Sequence, residues 1–176
     1  MAFTVQNENG TVPGANAYVS VDEFKSFHTD RGTLGTHTDE QIEKAIVLAT
    51  DFLDTRYSFV GEQLNLDQGT QFPRRIPGSS SRDARRGLPR ALKQATCLLA
   101  ARSLGGATLL PDPTFNPGGA VVSVTKKVGP LETSTQFAAP EPGAAPAAPK
   151  YPDVDLQLKN AKLLATAGLS RRVERG

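Results

Sequence analysis

Tryptophan is absent from this chain of 176 residues; cysteine and methionine occur once each and histidine twice. The lone cysteine, Cys97, closes no internal disulfide and offers no thiolate pair for zinc or redox exchange. It falls among Thr96, Leu98 and Leu99 on an expected helix and reads as a buried structural thiol, because free cysteine is among the most buried residue types. His28 and His37, near Gly32 and Gly35, have no further ligands at metal-binding spacing, so no metal site is expected and both read as exposed loop or helix-end residues. Long apolar runs are missing as well. Nothing approaches the roughly 18 consecutive apolar residues of a membrane span, and no signal-peptide core opens the chain. The expectation is a soluble protein made and used in a reducing cytoplasm, or released from one.

Net charge is also scarce. Lysine and arginine exceed aspartate and glutamate by +2 overall, so no whole-molecule field attracts nucleic acid or a membrane, and a basic site has to come from local clustering. The hydrophobic share of 38% is low for a domain that buries all of its own surface, which places part of the chain outside the core.

Helix signals are abundant. Ser20 to Glu23 and Thr38 to Gln41 form two capping boxes, the first opening a helix over about residues 21–30 and the second a longer one that ends near Tyr57. In the longer helix Ile42, Ala45, Ile46, Ala49, Phe52 and Leu53 make one continuous apolar stripe. A third helix opens with Pro89 near its first position and runs to Gly105-Gly106, with Leu92, Ala95, Leu98, Leu99, Ala101 and Leu104 on a wide apolar face. Residues 1–19 read as an extended arm anchored by Phe3, Val5, Tyr18 and Val19, and residues 58–87 read as loop throughout. Residues 120–137 alternate as a β-hairpin with Gly129-Pro130 at its turn, and residues 138–150 are an Ala/Pro linker. A short helix from near Asp153 to Gly168 and a basic tail follow; a helix on a flexible tether more often docks onto something than joins the parent core. The expected fold is mainly α: a small bundle of three core helices with a β-hairpin, an extended N-terminal arm and a tethered C-terminal helix. Residues 1–137 form the domain, 138–150 the linker and 151–176 the docking helix and tail.

Catalytic patterns are missing. The glycine pairs at 105–106 and 118–119 lack the spacing of a phosphate loop, Ser79 to Ser81 lack an elbow and a base, and the acidic pairs Asp39 with Glu43 and Asp51 with Asp54 read as a solvated helix face. An enzyme is not expected, and neither is a cofactor. The one local signal is a basic cluster, Arg74, Arg75, Arg82, Arg85, Arg86, Arg90 and Lys93, opposed by Asp83 alone. Arginine forks fit phosphate and carboxylate alike, so the cluster fits a nucleic-acid backbone, an acidic protein surface or plain solvent. Phe72 is the only aromatic near it in sequence, which is few for a single-strand binder.

Several segments in order carry a family resemblance: Val12 to Ser20, Ala49 to Tyr57, Phe72-Pro73-Arg74, Leu88 to Lys93 with Ala95-Thr96, and Val128-Gly129-Pro130-Leu131. Together they resemble tailed-bacteriophage head-tail connector, or adaptor, proteins, a family labelled DnaT-like single-stranded-DNA-binding. The resemblance covers most of residues 1–137. Phe72 stands where the family often has tryptophan, and residues 76–86 and those after Ala138 follow no matching pattern.

The resemblance implies a structural virion protein of the neck, assembled in the host cytoplasm into a dodecameric homo-oligomeric ring beneath the portal. Its implied partners are further copies of itself, the portal protein, a tail or stopper protein and the double-stranded genome passing through the channel at ejection, with no membrane. Val128, Gly129, Pro130, Leu131, Leu156, Leu163 and Leu164 are the portal or subunit docking candidates, and Arg74, Arg75, Arg82, Arg85, Arg86 and Arg90 the partner or DNA contacts. The competing expectation is a single-stranded-DNA-binding, replication-type protein.

Overall fold

In the computed structural model of the chain, residues 2–75, 87–110 and 149–165 are described in full, and residues 123–128 and 131–136 by their backbone. The fold is mainly helical, as the periodicity requires. Among the described residues four helices, α1 (Val21–Thr29), α2 (Asp39–Arg56), α3 (Arg90–Leu104) and α4 (Pro152–Asn160), accompany two short antiparallel pairs, β1 (Glu62–Gln63) with β2 (Arg74–Arg75) and β3 (Ser123–Val128) with β4 (Leu131–Gln136). The chain divides into two compact units, residues 1–109 with 150–176, and residues 110–149.

In the helical unit α3 is central, packing against α1, α2 and α4. Both expected capping boxes form, with Ser20 accepting from the Glu23 amide at 3.1 Å and Thr38 from the Gln41 amide at 3.3 Å. The whole apolar stripe of α2, Ile42 to Leu53, is buried against Leu92, Ala95 and Leu99 of α3 in one core cluster. Pro89 is the N-cap of α3, one residue outside the helix, and no side chain caps that end.

The C-terminal helix corrects the expectation of a docking device. Val154 and Leu158 of α4 and Leu163 just beyond it are fully buried in the same core as α2 and α3. The helix also stops at Asn160 instead of Gly168, because Lys162 takes a left-handed conformation at φ 53° and the Leu163 and Lys162 amides turn back to the Leu158 and Lys159 carbonyls. That pair of bonds, with Leu163 against Leu158, is the Schellman closure usually given to glycine; Gly106 supplies it at the end of α3. A sequence rule that waits for glycine misses a lysine in that place.

Residues 58–75 correct the expectation of continuous loop. Glu62 and Gln63 pair with Arg75 and Arg74. The Gln68 side chain donates to the Thr70 and Pro73 carbonyls at 2.7 and 3.1 Å, and Asn65 donates to the Asn9 and Gly10 carbonyls at 2.9 Å each. The N-terminal residues close against this segment: Gln6 donates to the Ala17 carbonyl at 2.9 Å, and its buried side chain donates to Val12 and Thr70. At Gly69 a β-carbon would collide with the backbone oxygens of Pro13 and Ala15, so the close approach of the two segments requires glycine there. Side-chain to backbone bonds have no period, which is why this order is invisible to pattern reading. Residues 76–86, with Arg82, Arg85 and Arg86, lie outside the described residues, as do most of the Ala/Pro linker and the basic tail.

The second unit contains the expected hairpin, in register from Ser123 opposite Gln136 to Val128 opposite Leu131. Gly129 and Pro130 lie outside the described residues, and so do the side chains of Val128 and Leu131.

Candidate functional site

Two groups of polar residues adjoin the core, and they differ in what their side chains touch. The first surrounds Asp54. Tyr18 is fully buried; its hydroxyl donates to Asp54 Oδ1 and accepts from the Phe72 amide at 3.2 Å, while the Gln71 amide donates to Asp54 Oδ2 at 3.0 Å. This corrects the reading of Asp54 as part of a solvated face: it is half-buried and ties α2 to the segment before Phe72. Desolvation pushes the Asp54 carboxyl up to about 6, against the Tyr18 and Gln71 hydrogen bonds that favour its anion.

The folded chain therefore holds this proton more tightly than the unfolded one, whose carboxyl titrates near its ordinary value. Stability contributed by Asp54 is fully present below about pH 4 and declines as pH rises to about 6, by on the order of 3 kcal/mol. Melting temperatures followed from acid to neutral pH should fall more steeply for the native chain than for Asp54→Asn, and equal slopes would remove Asp54 as the titrating group.

Arg74, expected to face a partner, is turned inward. Nε donates to the Val60 carbonyl at 3.1 Å, Nη1 to the Gln71 carbonyl and side-chain oxygen at 3.2 and 2.6 Å, and Nη2 to the Phe59 and Gly61 carbonyls. All five donors of its fork are occupied by the chain itself. Arg75 is exposed and lies 4.0 Å from Glu62, its partner across the short strand pair. Among the apolar docking candidates Leu163 is buried, Leu164 is half-buried where its residue bridges Phe59, and Leu156 is 57% exposed.

The second group lines a pocket of about 290 Å³ between α1 and α3, with Glu23, Phe27, Asp30, Arg31, Arg90 and Lys93 in its wall and Cys97 among the lining. The capping box that starts α1 places Glu23 toward Lys93, at 2.9 Å, and Glu8 approaches the same ammonium at 3.7 Å while accepting from the Leu88 amide at 2.6 Å. Burial alone would raise the Glu23 carboxyl, but the Lys93 ammonium and the Ser20 amide hold it below its ordinary value. At the other end of α1 the Arg31 guanidinium carbon sits 3.6 Å above the centroid of the Phe27 ring, and Nη1 donates to the Phe27 carbonyl at 2.8 Å. Arg31 and Arg90 are exposed, and the Arg90 side chain makes no hydrogen bond or ion pair among the described residues.

His28 corrects the exposed reading: it is buried, its Nε2 3.1 Å from the Cys97 carbonyl and its Nδ1 2.8 Å from the Thr33 hydroxyl. A carbonyl only accepts, so Nε2 carries a hydrogen. Cys97 is buried beneath, its thiol pushed up to about 12 by desolvation, which leaves no nucleophilic thiolate near neutral pH. Among the described residues no group of three His, Cys, Asp or Glu converges as a metal site would require.

Of the sequence candidates, then, Arg90 reaches the pocket with Lys93, Arg74 is structural and Arg75 lies on the short strand pair. Sequence reading missed Phe27 and Arg31. Their signal was the i, i+4 spacing of an aromatic and an arginine near the end of α1, which only becomes a site when α3 brings Arg90 and Lys93 beside it.

No curated protein and no solved structure matches this chain. One family model does, over residues 1–176, and its description reads "Putative DnaT-like ssDNA binding protein". The match extends past Ala138, beyond the expected reach of the resemblance. It also corrects the head-tail connector reading and the virion, portal and tail partners attached to it, since the description names single-stranded DNA and no capsid or tail role. The chain belongs to the DnaT-like single-stranded-DNA-binding family.

Proposed function

We propose that this chain binds single-stranded DNA, as a binding protein without a catalytic step. The structural observation that carries the reading is the α1–α3 pocket, where an arginine stacked on an aromatic ring stands beside two further cations. Single-strand binders combine a basic track for the backbone with planar groups on which bases stack, and guanidinium planes serve as such groups. The aromatic that the primary sequence failed to place near the basic cluster is Phe27, supplied by a different helix. With the overall charge at +2, affinity has to come from these local contacts more than from long-range steering.

Anisotropy of a labelled oligo-dT tests the reading. Saturable binding is expected at about 50 mM salt, weakening at about 200 mM by roughly 2–3-fold for each phosphate that the chain contacts on a single strand. A chain that leaves the oligonucleotide unbound at the lower salt would refute it.

A further inference from the structure

We propose that the α1–α3 pocket seats one unstacked nucleotide, with its base on the open face of Arg31, its phosphate on Arg90 and Lys93, and the Glu23 carboxylate as the group that phosphate displaces. The inference rests on the single-strand reading above and adds to it the place, the number of bases held and the residue that limits affinity.

Three observations lead there. The pocket's volume of about 290 Å³ lies just below the range of roughly 300–1,000 Å³ usual for small-ligand sites, a size that suits a single base with its phosphate. Arg31 is held in place: its guanidinium carbon sits 3.6 Å from the Phe27 ring centroid and the Phe27 carbonyl fixes Nη1, so an exposed planar cation is positioned before any ligand arrives. A pre-ordered stacking surface avoids part of the entropy that ordering a long side chain costs. The cations are unequal. Arg90 is unpaired among the described residues, whereas Lys93 is engaged by Glu23 at 2.9 Å and approached by Glu8. A phosphate entering beside Arg90 competes with Glu23 for the Lys93 ammonium, and the two carboxylates of the wall, Glu23 and Asp30, repel it.

Selection against duplex follows from the same geometry. A paired base is stacked on both faces, and reaching Arg31 would require extruding it against its pairing and stacking.

The test uses the full chain, with an oligo-dT, an abasic strand of equal length and a duplex as probes. Arg31→Lys keeps the charge and loses the plane: about tenfold weaker binding to oligo-dT is expected, with the abasic strand unaffected. Arg90→Ala should weaken both single strands alike, by several-fold. Glu23→Gln, which preserves the capping box, should tighten both by several-fold. Arg56→Ala, an exposed arginine at the end of α2, is the control and should change nothing. The duplex should bind at least about tenfold more weakly than oligo-dT. Wild-type binding that all three pocket variants leave at the control value would overturn the inference while the single-strand reading stands. Equal affinity for abasic and oligo-dT strands would overturn the base seat in particular. Absence of wild-type binding to any single strand would remove both.

Discussion

Phe72→Ala is expected to lower the unfolding free energy by about 3–5 kcal/mol, the largest single-residue effect in the helical unit. Phe72 is 1% exposed and stands between two rings in edge-to-face contact, Phe59 at 4.8 Å and Tyr18 at 6.3 Å between centroids. Truncation removes buried apolar surface and leaves a cavity. It also withdraws a packing face from Tyr18, whose hydroxyl holds both Asp54 and the amide of residue 72, so the loss reaches the polar network as well. Urea unfolding followed by far-ultraviolet dichroism measures it; a loss under about 1 kcal/mol would mean that Phe72 is not the keystone its burial indicates. Phe72→Trp, which restores a large ring, is expected to recover part of the loss.

Arg74→Ala should cost about 2–4 kcal/mol while leaving the affinity of the folded chain for oligo-dT unchanged. The guanidinium joins the carbonyls of Phe59, Val60, Gly61 and Gln71, fixing the start of the 59–75 segment to its end. Alanine leaves these acceptors half-sheltered without donors. Arg74→Lys should recover less than half, because an ammonium has three donors and no planar fork. Measuring stability and oligonucleotide affinity on the same variant separates the two roles: a stable protein with weakened binding would return Arg74 to the DNA contacts.

The helices were legible because their signals are local. Ser20 with Glu23 and Thr38 with Gln41 each cap within four residues, and the α2 stripe from Ile42 to Leu53 repeats at the helical period, so each could be read from its own neighbourhood. The hairpin at 123–136 was readable from alternation in the same way. The 58–75 segment was not. Its order depends on Asn9, Gly10, Tyr18 and Asp54, which lie outside it, and on Arg74, whose charge reads equally as a phosphate contact or as an internal clamp. Leu163 was misplaced for a related reason: an apolar residue beyond an Ala/Pro linker has the same composition whether it returns to its own core or meets another molecule, and only packing distinguishes the two.

The candidate site divides along the same line. Arg90 and Lys93 were visible as part of a basic run, and Phe27 and Arg31 were present in α1 without any mark of use. The sequence by itself determined a mainly helical chain of low net charge, with α1, α2 and α3 placed and the first two capped, because caps and apolar periods are local signals. Only the tertiary structure decided that Arg74 faces inward, that α4 belongs to the core, and that Arg31 on Phe27 stands in one pocket with Arg90 and Lys93. Those outcomes depend on which helix faces pack together, and the packing of α1 on α3 joins residues some sixty positions apart that no local pattern connects.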